Sequence, residues 1–244
     1  MQLQFLGSGD AFGSGGRFNT CFLVRDRQGA FLVDCGVSSM IAMRKFGIDP
    51  NMVRAIVISH LHGDHFGGLP FFLLDAQLVS RRTAPLVVAG PPGLARRLEM
   101  AMETFFPGSA KVERRFALDV REMQPHEAHG IEGIEVTPYL MKHPCGAPPF
   151  ALRIAVDGKV LCYSGDTEWV DALAEAAHGA DLFVAEAYFF DKAIKFHLDY
   201  ATLSTHLPAI GAKRVIVTHM SPDMLARRGS LGCEAAEDGM VVSL

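Results

Sequence analysis

Four times along this chain an aliphatic run stops at a histidine or an aspartate: "VIS" before His60, "YLMK" before His143, "LCYSG" before Asp166 and "VIVT" before His219. Aliphatic runs of this length read as buried strands. Buried strands that end in cation-binding side chains predict a layered fold whose strand ends meet at one rim, with function on the loops there. The remaining pattern agrees. Strands over "QLQFL", "TCFLVRD" and "AFLVD" open the chain, the last two joined by a turn at Arg27-Gln28-Gly29. A short helix at 38–46 leads to the strand "RAIVIS". A helical segment from Phe66 to Val79 pairs Leu69 with Leu73 and Leu74 with Leu78. The strand "APLVVAG" follows, then a helix with Leu94, Leu98 and Met102 on one face. Residues 111–160 read mostly as strand and include a hairpin through Asp157-Gly158. A helix at 168–177, the strand "ADLFVAEA", a helix over "DYATLSTHLPAIGA" with Leu203, Leu207 and Ile210 inward, the strand "KRVIVTH" and an edge strand "MVVSL" complete the chain. This succession predicts an α/β sandwich, two mixed sheets face to face with helices outside, as one domain over residues 1–244.

Composition narrows the class. The chain has 244 residues, 49% of them hydrophobic, enough for one large core. Its net charge is −4, and its arginine pairs (Arg81-Arg82, Arg96-Arg97, Arg114-Arg115, Arg227-Arg228) are scattered, which argues against a protein that grips long nucleic acid. The five cysteines are odd in number and lack CxxC spacing, so neither a disulfide framework nor a cysteine zinc site is indicated. Free thiols fit a reducing compartment, and the expected location is cytoplasmic. The segment "MQLQFLGSGD" has no signal-peptide character, and no apolar run approaches the ~20 residues of a membrane span.

The stretch "ISHLHGDHFGG", Ile58 to Gly68, packs three histidines and an aspartate into six residues. Neutral imidazole and carboxylate are the ligands that zinc, manganese and iron accept. Single histidines are more often packed or capped than ligating, and His126, His129, His178 and His206, off the strand-end pattern, are read that way. "HLHGDH" matches HxHxDH, and His143, the "GDT" with Asp166 and the "THMS" with His219 follow in the right order. On these motifs the chain resembles the metallo-β-lactamase superfamily, over about nine-tenths of its length. The resemblance implies a four-layer αββα sandwich with two divalent ions at one edge, zinc first, with manganese or iron as alternatives. Carried across, His60, His62 and His143 would hold one ion, Asp64, His65 and His219 the second, and Asp166 would bridge. Ions about 3.5–4 Å apart share a hydroxide and clamp the oxygens of an in-line displacement. Gly63, Gly67 and Gly68 are expected to let the backbone turn around them.

Asp166 stands where lactam-hydrolysing members often carry cysteine. "HLDYATL" with His197, preceded by Glu186-Ala187-Tyr188-Phe189, resembles the ribonuclease Z branch, as does the opening "FLGSGDAFGSGGRFNT" with Arg17 and Asn19 near the scissile group. Asp34 and Glu186 are expected to hold the outer nitrogens of imidazoles. A strand-end turn or a solvent-facing carboxylate is the plainer alternative for each. The chain departs from ribonuclease Z at the tRNA-binding arm: His143 and Asp166 are only 23 positions apart, with one hairpin between them. The expected function is therefore a dinuclear metal phosphodiesterase for a small phosphodiester or nucleotide-type substrate, using a metal-bridged hydroxide, with Asp64 and His197 as catalytic groups. The alternatives are a ribonuclease Z-like tRNA 3′ endonuclease and a lactone or thioester hydrolase. Phe71, Phe72, Phe105 and Phe106 read first as core, with a substrate cleft or a homodimer face as the alternative.

Overall fold

A computed structural model describes residues 1–244. The strands are β1 (Gln2–Gly7), β2 (Cys21–Asp26), β3 (Gly29–Val33), β4 (Val53–Val57), β5 (Leu86–Gly90), β6 (Leu118–Glu122) and β7 (His129–Ile131). They continue with β8 (Ile134–Leu140), β9 (Phe150–Val156), β10 (Lys159–Tyr163), β11 (Leu182–Glu186), β12 (Val215–Thr218), β13 (Glu234–Ala235) and β14 (Val241–Ser243). Two seven-stranded sheets result, ordered β14-β1-β2-β3-β4-β5-β6 and β13-β12-β11-β10-β9-β8-β7. The α-helices are α1 (Ser39–Lys45), α2 (Gly63–Phe66), α3 (Leu69–Leu78), α4 (Leu94–Phe105), α5 (Asp171–Ala177), α6 (Tyr200–Ile210) and α7 (Pro222–Ala226).

Period-two alternation builds the layers. On β2, Phe22 and Val24 enter the core between the sheets, while Cys21 and Leu23 face helices outside. On β3, Phe31 and Val33 face inward and Ala30 and Leu32 outward. Leu94, Leu98 and Met102 of α4 bury against the first sheet as the spacing predicts. Leu203 and Ile210 of α6 are buried against the second, with Leu207 partly buried beside them. The hairpin at Asp157-Gly158 and the edge strand β14 also match the sequence reading.

Four elements differ from expectation. The segment 66–79 is not one helix, because Gly67 and Gly68 separate α2 from α3. Leu69 and Leu73 are buried, but Leu78 is 68% exposed, so the Leu74/Leu78 pair lies on the outer face. An i, i+4 pair occurs on either side of a helix, and spacing alone does not say which side meets the sheet. Strand β8 ends at Leu140, three residues before His143. Both α7 and β13 are too short for periodicity to reveal them.

Within the second sheet β8 and β10 both run antiparallel to β9, and β10, β11 and β12 are mutually parallel. Strands β8, β10 and β12 therefore all point at one edge. From the first sheet β4, parallel to β3 and β5, delivers the loop with His60. No helix is long and apolar enough to cross a membrane.

Candidate metal centre

The loop after β4 makes a short turn and then the one-turn helix α2, which presents Asp64 and His65. Close backbone approach explains two of its glycines. A Cβ on Gly67 would overlap the Gly63 carbonyl, and one on Gly68 would overlap the Gly36 carbonyl. Gly63 faces open space, so the expected steric need there is absent. His219, at the end of β12, is held at φ 58°, and Asp34, at the end of β3, at the same angle. Left-handed backbone at non-glycine residues persists only where the surroundings fix it, and such residues cluster at functional sites. The His219 amide donates to the Ser8 carbonyl (3.2 Å), which fastens this imidazole to the glycine-rich loop after β1.

Two groups of donors converge. His60, His62 and His143 form one, and Asp64, His65, Asp166 and His219 the other, each with its ligand atoms within 4.8 Å of one another. Asp166 lies between them. Its Oδ2 is 3.8 Å from His60 Nε2 and from His143 Nε2, and 3.4 Å from His219 Nε2, while Oδ1 is 3.3 Å from His65 Nε2. Imidazole nitrogens face one another as well, His143 Nε2 with His62 Nδ1 at 2.9 Å and His65 Nε2 with His219 Nε2 at 3.4 Å. His60 Nε2, Asp166 Oδ1 and His219 Nδ1 are buried without a hydrogen-bond partner. Buried polar atoms are rarely left unpaired, and lone pairs turned on one another at these spacings suit a cation among them. The donor set of imidazole and carboxylate is that of a divalent transition metal.

Electrostatics agrees. Burial pushes the His60 imidazole far down, which keeps it neutral, as ligation requires. Burial alone would raise Asp166, but His219 and His65 hold it well below the usual carboxylate range. His219 is lowered by burial yet carried up to about 9 by Asp166 and by its hydrogen bond to Asp64. The buried carboxylates thus demand positive charge at this spot.

Two buried carboxylates stand behind the cluster. Asp34 is fully buried, and its Oδ2 accepts from His65 Nδ1 (2.7 Å) and from Ser59 Oγ (2.8 Å), while Oδ1 accepts from the Ser59 amide (2.7 Å). Glu186 is fully buried. Its Oε2 accepts from His197 Nδ1 (3.0 Å) and its Oε1 from the amides of Thr167 (2.5 Å) and Leu198 (3.2 Å). With those bonds made, Glu186 is occupied as an acceptor even though it lies in a further group with Asp166, His197 and His219.

A cavity of about 210 Å³ opens on the cluster, lined by Ala11, Phe12, His62, Asp64, His143, Asp166, Tyr188, His197 and His219. Arg17 and Asn19 do not line it. The Arg17 guanidinium donates to Ser8 Oγ (3.0 Å) and to the Ala236 carbonyl, and Asn19 Nδ2 donates to the Asp10 carbonyl (3.0 Å). Both brace the glycine-rich loop from behind. That correction has a simple cause: the sequence locates the loop but not the side to which its side chains turn. Tyr188 and Phe12 were not singled out. Tyr188 stands beside His197 at 4.9 Å between ring centroids, and its position after β11 within the Glu186–Phe189 stretch was the one available signal. His206 stacks on Trp169 (3.6 Å) and His126 packs edge-on against Tyr139, and neither lines the cavity.

Comparison with known proteins completes the picture. The family model of the anti-Pycsar protein Apyc1 matches residues 1–236. The chain belongs to this family. Curated relatives of the Apyc1-family chain include the ribonuclease Z of Exiguobacterium sp., 28% identical over 98% of the chain and 94% of that protein. The ribonuclease Z of Methanothermobacter thermautotrophicus is 27% identical over 91% and 87%. Among solved structures, the short form of human tRNase Z superposes with a TM-score of 0.81 at 26% identity, over 100% of this chain and 99% of that one. A diphosphatase of the PhnP family gives 0.80 at 20% identity, over 100% and 97%, a likeness of fold. The Apyc1-family chain is a metallo-β-lactamase-fold, ribonuclease Z-like hydrolase that binds divalent metal.

Proposed function

We propose that this Apyc1-family chain is a two-metal phosphodiesterase for small, nucleotide-type phosphodiesters. His60, His62 and His143 would hold one divalent ion and Asp64, His65 and His219 a second, with Asp166 within reach of both groups; zinc is the first choice for this donor set, and manganese and iron fit it as well. A divalent pair supplies Lewis-acid chemistry, neutralising charge on the phosphoryl oxygens and activating water as nucleophile. The protein's own groups do the rest. Asp64 lines the cavity and accepts the proton of the attacking water. His197 lines it too, with Nδ1 tied to Glu186, which leaves Nε2 as the nitrogen free to act. Burial alone would lower this imidazole, but the hydrogen bond and charge of Glu186 raise it, so it carries the proton that a leaving alkoxide needs.

The observation that carries this reading is the placement of a carboxylate-backed histidine on the same small cavity as five ligand-type side chains, His62, Asp64, His143, Asp166 and His219. Two others favour a small substrate. The cavity is below the ~300–1,000 Å³ of ordinary ligand sites. The alignment with the Exiguobacterium relative also runs to 288 positions, more than the chain's 244 residues, so that relative carries segments this chain lacks. Free cysteines, four of the five buried, favour a reducing, cytoplasmic setting. The test is an assay of zinc- or manganese-loaded protein on bis(p-nitrophenyl) phosphate beside a generic thioester and a generic lactone. Turnover of the diester is expected. Turnover confined to the thioester or the lactone would replace this reading with acyl-transfer chemistry.

A further inference from the structure

We infer that Glu168 is a positioning residue, a latch that sets the ligand His143 and the proton donor His197 together through the backbone of Phe196. This rests on the phosphodiesterase reading for the role of His197 and on geometry for the rest.

Glu168 follows Asp166 by two residues and reaches across to the loop 189–199. Its Oε2 accepts from the Phe196 amide at 3.0 Å. On the other side of the same residue, the Phe196 carbonyl accepts from His143 Nδ1 at 2.8 Å. His143 thus has its outer nitrogen fixed by a carbonyl, and that carbonyl's own residue is fixed by Glu168. A donor–acceptor partner on the outer nitrogen sets the tautomer and the ring orientation of a ligating imidazole. Here Nδ1 carries the proton and Nε2 is turned into the cluster.

Phe196 sits at φ 70°. For a bulky side chain this left-handed backbone is a genuine outlier, which persists only where its surroundings fix it. Both of its backbone polar groups are claimed, the amide by Glu168 and the carbonyl by His143. The next residue is His197. Its imidazole is 4.9 Å from that of His143, centroid to centroid, and lines the cavity. One strained residue therefore transmits the position of Glu168 to two functional rings.

Glu168 is itself anchored. Lys142, the residue before His143, forms an ion pair with Oε1 at 2.5 Å, and its carbonyl accepts from the Glu168 amide at 3.3 Å. The Lys142 amide donates to Thr167 Oγ1 at 3.0 Å. The loops after β8 and β10 are so joined to each other and, through Phe196, to the loop after β11. With its lysine side chain 60% exposed, the ion pair contributes little by itself. The bond to the Phe196 amide is the part that matters.

The test uses Glu168→Ala, Glu168→Gln and Lys142→Met in the full chain, with two readouts. The first is zinc affinity by competition with a chromophoric chelator. The second is kcat and KM on bis(p-nitrophenyl) phosphate and on a diester with a poor, alkoxide leaving group. Removing an outer-ring partner typically costs about 10–100-fold in metal affinity or activity. Glu168→Ala is expected to lose roughly that factor in zinc affinity, and to lose more kcat on the alkoxide ester than on the nitrophenyl ester. Glu168→Gln keeps an acceptor for the Phe196 amide and is expected to restore most of both; Lys142→Met is expected to stay near wild type. Three results overturn the latch: wild-type affinity and kinetics in Glu168→Ala, equal damage in Glu168→Gln and Glu168→Ala, or a kcat loss independent of the leaving group. If the wild-type protein cleaves no diester, the phosphodiesterase reading fails, and the chelator titration still decides whether Glu168 orients His143.

Discussion

At the scale of single residues the proposed division of labour is testable because the proposed ligands and the proposed proton donor are different side chains. Asp166 is the one carboxylate within reach of both donor groups. Asp166→Ala is expected to bind less divalent metal per chain, by elemental analysis after reloading, and to lose most activity. His197→Ala should keep its metal and its fold. General acid help is worth about 10²–10⁴-fold, so its kcat on a poor leaving group should fall by roughly that factor, with a smaller loss for p-nitrophenolate, which needs little protonation. Loss of an ion from this variant would make His197 a ligand instead. Asp34→Ala removes the acceptor of His65 Nδ1 and of the Ser59 amide, both buried. Zinc affinity should drop by about 10–100-fold, measured by the same chelator competition. The donor groups that the fold gathers were legible in the sequence because each follows a strand or sits in a short dense loop. Tyr188 and Phe12 were not, since their place on the cavity depends on the paths of two irregular loops. Arg17 was misplaced for the same reason.

Among elements, the turn between α2 and α3 shows what a glycine does that helical periodicity conceals. The spacing over 66–79 is truly helical, yet the Gly67-Gly68 break lets the chain pack against the backbone at Cys35 and Gly36, with the Gly68 amide bonded to the Cys35 carbonyl at 2.8 Å. Because the space is closed by backbone rather than by a side chain's flexible end, Gly68→Ala should be poorly tolerated. An overpacked core position typically costs about 1–3 kcal/mol. Gly63→Ala, facing open space, should cost far less. Thermal denaturation of the two variants checks the contrast, and equal melting temperatures would refute it. The two-sheet sandwich with helices outside was readable from alternation and from the βα succession, while the strand order within each sheet was not. What stayed hidden were elements of two to five residues, β13 and α7, whose existence is decided by tertiary contacts alone.

For the whole molecule, the donors come from both halves of the sandwich. The loop after β4 belongs to the first sheet, and His143, Asp166 and His219 belong to the second. A cation there ties the two halves in the native state only. Binding at a hundred times Kd adds about 2.7 kcal/mol, and a chain of this size gains ~2–4 °C per kcal/mol. Chelation should therefore lower the melting temperature by roughly 5–10 °C for each saturated site, reversibly on adding zinc. The missing arm predicts poor handling of precursor tRNA; efficient, site-specific trimming of a tRNA 3′ trailer at physiological salt would contradict the small-substrate reading. His65 and His219 stand 154 positions apart in sequence, which sets a clock. At ~5–20 residues per second of synthesis, roughly 8–30 s pass between the emergence of the first and the last of these imidazoles. During that interval the loop with "HLHGDH" lacks its partners from the second sheet. The complete donor set therefore exists only once β12 has been made, so the site belongs to the finished second sheet and to no earlier stage of the chain.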